Sequence, residues 1–226
     1  MMRNLFLFFL ITLLTGSPVF ALLVILAVYL ALDYQFLGIS RRLFGRFRRA
    51  GAIRALDREL SVNPHDAPAR RDLGRLLVES RRFADAVPHL EKAMERMPDS
   101  DETVCDLGLA YLWTGKVAEG ENLIRRALER SPKLRYGEPF LRWGEFLLHR
   151  GRGAEAAERL EQFRSIFSSS VEGHYLLGVA YQRTGDRMKA VASYRTALEM
   201  FKQSPRYKRR EERLWAWKTR ARLWTV

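Results

Sequence analysis

Residues 101–132, DETVCDLGLAYLWTGKVAEGENLIRRALERSP, decide the fold. Leu107, Gly108 and Tyr111 lie on one helical face, Gly115 breaks the chain, Ile124 and Ala127 mark a second helical face, and Pro132 ends it. The stretch reads as two helices joined by a tight turn. The pattern recurs along the chain. Gly74 to Gly108 is 34 residues, Gly144 to Gly178 is 34, and Pro64, Pro98 and Pro132 fall 34 apart. A fixed period near 34 residues, with small residues where two helices cross, is the signature of a helical repeat array.

In these residues the chain resembles the tetratricopeptide repeat family, whose pattern asks for Leu-Gly, an aromatic three residues on, small residues in the second helix and a closing Pro. The first full repeat offers Leu73, Gly74, Leu77, Ala86, Leu90, Ala93 and Pro98; the second offers Leu107, Gly108, Tyr111, Gly120, Ile124, Ala127 and Pro132. The third offers Trp143, Gly144, Leu147, Gly151, Ala156, Leu160 and Phe163 after a two-residue insertion, since Gly108 to Gly144 is 36. The fourth offers Leu177, Gly178, Tyr181, Gly185, Ala190, Tyr194 and Ala197. The last two repeats lack the closing Pro. The resemblance implies an all-α, right-handed solenoid of about four repeats. Ala52, Leu56 and Pro64 occupy second-helix positions of a preceding, degenerate unit, as expected of a terminal repeat.

The chain has 226 residues, a net charge of +13 with arginine outnumbering lysine, and one cysteine, Cys105. A single cysteine excludes an internal disulfide framework and a cysteine metal cluster. The basic balance suits anionic lipid or nucleic acid, and equally a solvated arginine-rich surface.

Between Arg3 and Asp33 there is no charged residue. As one helix this run would reach about 43 Å, at ~1.5 Å per residue, against a hydrocarbon core of ~30 Å. Ser17 and Pro18 can restart a helix near its middle. The run is therefore a kinked transmembrane helix or a wedge in one leaflet. Val19-Phe20-Ala21 would pass for a signal-peptide cleavage site, but eleven further uncharged positions follow, so an uncleaved anchor is expected. Arg41, Arg42, Arg46, Arg48 and Arg49 follow closely and place the repeats in the cytoplasm by the positive-inside rule, on an inner or plasma membrane crossed once. With the aromatics of 34–47 they would meet anionic headgroups, or form a degenerate repeat helix. The expected organisation is an anchor at 1–33, a basic juxtamembrane helix at 34–50, a degenerate half repeat at 51–64, the array at 65–203 and a basic helix at 204–226.

In that last segment Leu214, Trp217, Ala221 and Trp224 make an apolar stripe at helical spacing, expected to cap the final repeat, with Trp215 off the stripe. Arginine and lysine surround it, so a peripheral lipid- or nucleic-acid-binding role is the alternative. No base-reading motif accompanies them.

No constellation of residues suggests an enzyme, a metal or a cofactor. His65, His89, His149 and His174 stand at no ligand spacing, and there is no phosphate-binding glycine loop. By the family resemblance, the first helix of each repeat lines a concave groove. Its positions are Arg71, Arg75, Val78 and Glu79, then Cys105, Leu109, Leu112 and Trp113, then Leu141, Glu145, Leu148 and His149, then Tyr175, Val179, Gln182 and Arg183. Its apolar middle would receive an amphipathic helix or extended peptide, with Trp113 and Tyr175 as anchors; the alternative is that some of these side chains pack between helices. Glu102, Glu138 and Glu172 recur at one repeat position and would form an acidic row favouring a basic partner. Asp106, Arg75 and Glu138 depart from the sub-family that clamps chaperone C-termini. The layout resembles bacterial envelope-assembly adaptors, which implies a membrane-anchored scaffold within a larger complex.

Overall fold

The computed structural model describes residues 16–32 and 39–226. Among the described residues there are eleven α-helices: α1 (Pro18–Leu32), α2 (Ile39–Val62), α3 (Ala67–Glu79), α4 (Phe83–Arg96), α5 (Asp101–Thr114), α6 (Val117–Arg130), α7 (Glu138–His149), α8 (Gly153–Ile166), α9 (Val171–Arg183), α10 (Arg187–Gln203) and α11 (Arg206–Leu223). Residues up to Arg48 form one unit and residues from Arg49 onward another.

In the first unit, α1 begins where Ser17-Pro18 predicts, with the Phe20 amide donating to Ser17 Oγ at 3.4 Å. It is 15 residues long, and Val19, Phe20, Leu22 and Leu23 are exposed. No helix among the described residues is long and apolar enough to cross a membrane. The first half of the expected anchor lies outside the described residues.

In the second unit, α3–α4, α5–α6, α7–α8 and α9–α10 are the four hairpins of a solenoid. The chain starts its first helices with side-chain caps: Asp66 accepts from the Ala69 amide at 2.9 Å, Ser100 from Thr103 at 3.3 Å and Ser170 from Gly173 at 3.0 Å. At the hairpin turns Gly115, Gly151 and Gly185 sit at φ 98°, 78° and 82°, the left-handed region glycine enters at no steric cost. The first hairpin places Arg81 there instead, at φ 59°.

The core is the sum of the hairpin crossings. Gly108 and Gly120 let α5 and α6 touch backbone to backbone: a Cβ on Gly108 would stand 2.9 Å from the Gly120 carbonyl oxygen. One apolar cluster joins Ile53 and Leu60 of α2 to Leu73, Leu77, Leu90 and Leu107. A second runs from Val104 through Ile124, Phe146, Leu160 and Leu177 to Tyr194. Tyr111 Oη donates to Glu91 Oε1 and Tyr181 Oη to Glu161 Oε1, each at 2.6 Å, two equivalent links between the first helix of one repeat and the second helix of the preceding one.

Three details are not set by the repeat pattern. First, α2 runs from Ile39 to Val62. Second, the insertion before the third repeat forms a 3₁₀ turn, Leu134–Gly137, in which Arg135, Tyr136 and Gly137 all have positive φ. Third, α11 caps the array with its other face. Ala216 and Thr219 are buried while Leu214, Trp217 and Trp224 are exposed. The helix has two apolar rows, and the row with small residues is the one that can close on α9 and α10.

A candidate protein-binding groove

The first helices α3, α5, α7 and α9 present one face to a cavity of about 520 Å³. Arg75, Val78, Leu109, Trp113 and Glu145 line it, joined by Arg81, Phe83, Asp106, Arg135 and Trp215. Its floor is an ion pair. Arg135 Nη2 donates to Asp106 Oδ1 at 2.7 Å, and the Asp106 side chain is only 1% exposed. Burial drives the Asp106 carboxyl up to about 6, which Arg135 only partly offsets. The second oxygen of Asp106 and the Nε of Arg75 are buried without a hydrogen-bond partner.

One wall is aromatic. Trp113 stacks on Phe83 (centroids 5.4 Å, rings 6° from parallel) and meets Phe146 edge-on at 5.3 Å. His149 closes on it at 5.1 Å and the Arg81 guanidinium lies 6.0 Å from the ring. These partners fix the indole as a rigid surface. Beside it is a charge network. Arg142 reaches Glu138 at 3.2 Å, Glu145 at 3.1 Å and Glu172 at 2.8 Å, tying α7 to α9. Glu145 also accepts from Arg81 at 2.5 Å. Burial raises the Glu145 carboxyl, but Arg81 and Arg142 outweigh it and hold it below the usual range.

Of the residues read from the sequence as groove positions, Arg75, Leu109 and Trp113 line the cavity, with Val78, Glu79 and Glu145. Cys105, Leu112, Leu141 and Leu148 are at most 5% exposed and pack between helices instead. An inner helix in mid-array is flanked on both sides, so most of its apolar side chains turn inward. Tyr175 and Val179 are nearly buried; Tyr175 packs on Trp215 of α11 at 5.4 Å, so the protein's own last helix occupies that anchor. Arg71 pairs with Asp72 at 2.9 Å, and Arg183 donates to the Leu148 carbonyl. The acidic row is not free: Glu138 and Glu172 are both held by Arg142, and Glu102 is exposed outside the cavity.

Arg49, read as a headgroup ligand, donates to the Glu79 carbonyl at 3.2 Å and lines the cavity. Arg46 and Arg48 are exposed, and the side chains of Arg41 and Arg42 lie outside the described residues. Sequence reasoning missed Arg81, Phe83, Asp106 as a floor residue, and Arg135. Two signals pointed to them: Arg81 stands where the other hairpins have glycine, and the 36-residue spacing marks the insertion that carries Arg135. Among the described residues no group of three or more His, Cys, Asp or Glu could hold a metal ion.

Models of the tetratricopeptide repeat match residues 37–102, 77–137 and 171–204. Tetratricopeptide repeat protein 21A of Homo sapiens is 31% identical over 78 residues, which are 34% of this chain. The chain spans 6% of the length of that relative. Among solved structures, a crystal structure of MamA aligns with a TM-score of 0.57 at 25% identity, over 75% of this chain and 91% of that one. MamA from Desulfovibrio magneticus RS-1 aligns at 0.58 and 16% identity, over 74% and 94%. YrrB, described as a TPR protein with an unusual peptide-binding site, aligns at 0.52 and 19%, over 73% and 84%.

Proposed function

The chain belongs to the tetratricopeptide repeat family, and we propose that it is a non-catalytic scaffold whose groove takes up an extended peptide segment of a protein partner. The observation that carries this reading is the unmet polar demand beside a rigid aromatic wall. Asp106 Oδ2 lacks a donor and Arg75 Nε lacks an acceptor, and both residues line the cavity. Buried polar atoms are rarely left so. A peptide supplies both, an N–H for Asp106 and a carbonyl for Arg75, and lays an apolar side chain against Trp113. Of the two occupants expected, an extended peptide fits better than an amphipathic helix, because the apolar middle of the groove is already packed and Trp215 covers Tyr175. The description of YrrB as peptide-binding agrees with this.

The scaffold is anchored at an inner or plasma membrane by the uncharged run ending before Asp33, with the repeats in the cytoplasm, and it serves a membrane-associated complex. The support is the run's length and the arginines that follow it.

A peptide-display screen on the full chain in mild detergent tests the groove. Selected peptides should lose binding at least tenfold in Trp113→Ala and Asp106→Asn, as expected when a central anchor is removed. Equal binding by wild type and both variants would dispose of this reading.

A further inference from the structure

We propose that the outward face of α11 docks on an anionic phospholipid bilayer surface, a second interaction site independent of the groove.

The inward face of this helix is settled. Ala216 and Thr219 are fully buried, Thr219 Oγ1 donates to the Trp215 carbonyl at 2.7 Å, and Trp215 packs on Tyr175. At 100° per residue the opposite face carries Tyr207, Leu214, Trp217, Ala221 and Trp224, with Arg210 among them. No described residue covers it: Tyr207 is 68% exposed, Trp217 65% and Trp224 90%. Large apolar groups gathered on one exposed face mark an interaction site.

Charge identifies the occupant. Arg206, Arg213, Arg220 and Arg209 lie along one flank of the stripe. No ion pair among the described residues involves any of the four. The acidic Glu211 stands at the far rim and Glu212 is turned inward, paired with Lys208 at 3.6 Å. An apolar stripe edged by unpaired arginine and carrying tryptophan and tyrosine matches the boundary between headgroups and acyl chains. Trp217 and Trp224 would lie at the headgroup level, Leu214 and Ala221 just below it, and the arginines against lipid phosphates. A nucleic-acid strand would use the arginines and the aromatic rings, but it has no use for Leu214 and Ala221 between them.

The test uses the full chain in nanodiscs, with Ala221→Cys carrying an environment-sensitive fluorophore. Cys105 is fully buried and does not compete for the label. Discs of phosphatidylcholine alone are compared with discs containing phosphatidylglycerol, each with brominated lipid as quencher. A label at Arg126→Cys, exposed on α6, is the reference. The expected result is a blue shift and severalfold stronger quenching at position 221 in the anionic discs only. High salt, the triple reversal Arg206→Glu, Arg213→Glu, Arg220→Glu, and the pair Trp217→Ala, Trp224→Ala should each abolish it while helical content is unchanged. Because the dye reports on α11 itself, the result does not depend on whether the N-terminal run inserts. Equal quenching in both discs, or none, overturns the proposal. So does protection of the label by a single-stranded RNA oligonucleotide but not by phosphatidylglycerol, or a blue shift that grows with protein concentration in detergent alone, which would mean pairing of two copies.

Discussion

Arg81 and Glu145, 64 residues apart in the chain, meet at 2.5 Å across the groove, joining the turn of the first hairpin to the third inner helix. The turn position that supplies Arg81 holds glycine in the other three hairpins, so the bridge is made at the expense of left-handed backbone at a non-glycine residue. The two effects are separable. Arg81→Ala removes the bridge and keeps the strained φ. Arg81→Gly removes the bridge and the strain together. Because the Arg81 side chain is 59% exposed, the ion pair contributes at most about 1 kcal/mol. Relief of the left-handed residue is worth about 1 kcal/mol. Urea denaturation should therefore rank Arg81→Gly about 1 kcal/mol above Arg81→Ala and close to wild type. Equal stability of the two variants would show that the turn carries no strain.

Asp106 should give the fold a distinctive pH response. Its folded-state value of about 6 lies above its ordinary 3.8, so the folded protein binds this proton more readily than the unfolded chain does. The stabilisation associated with the proton is complete below about 4 and is lost as pH rises through 6. The total is of order 3 kcal/mol. Asp106→Asn keeps an acceptor for Arg135 and cannot titrate. Denaturation midpoints between pH 4 and 7 should fall in the wild type relative to the variant. Parallel curves would place the carboxyl's titration outside that range.

Two glycines should be intolerant of alanine for different reasons. At Gly178 a Cβ would come 2.4 Å from the Tyr194 ring, and at Gly108 it would come 2.7 Å from Ile124 and 2.9 Å from the Gly120 carbonyl. Neither the ring of a fully buried tyrosine nor a helix backbone can step aside locally. Each substitution should cost about 1–3 kcal/mol as overpacking, despite alanine's better helix propensity. Thermal melts that rise on either change would contradict the close approach.

The two tyrosine links offer a check on how far the repeats act alike. Tyr111→Phe and Tyr181→Phe each delete one hydrogen bond to a glutamate and leave the ring in place. Each should lower stability by about 1–2 kcal/mol. Their sites are two repeats apart and share no partner, so the double variant should lose the sum within about 0.5 kcal/mol. A markedly smaller loss in the double variant would show that the two ends of the array are coupled.

The periodicity of Leu73-Gly74, Leu107-Gly108 and their successors located eight of the helices before any coordinates, because a crossing that admits only glycine leaves a mark in the chain. The groove was less legible. Leu112 and Leu148 have the spacing of groove residues, but burial between flanking helices is decided by neighbours that periodicity does not name. Trp113 was found, since a large aromatic at that position has nowhere else to go. Arg135 was not, since its place depends on a turn of left-handed residues outside the repeat. The facing of α11 was misread for a related reason. Its two apolar rows look alike in the sequence, and only the size of Ala216 and Thr219 decides which one turns inward.

The irregular turn at Leu134–Gly137 also limits how the array can change in length. A solenoid of identical modules can be extended or trimmed anywhere by whole units. Here Asp106 comes from the second module and Arg135 from the junction leading to the third. A module added or removed at that joint would separate the two charges and strand one of them in the interior. Duplication or deletion is therefore tolerable only toward the ends of the array, and its centre behaves as a single indivisible block.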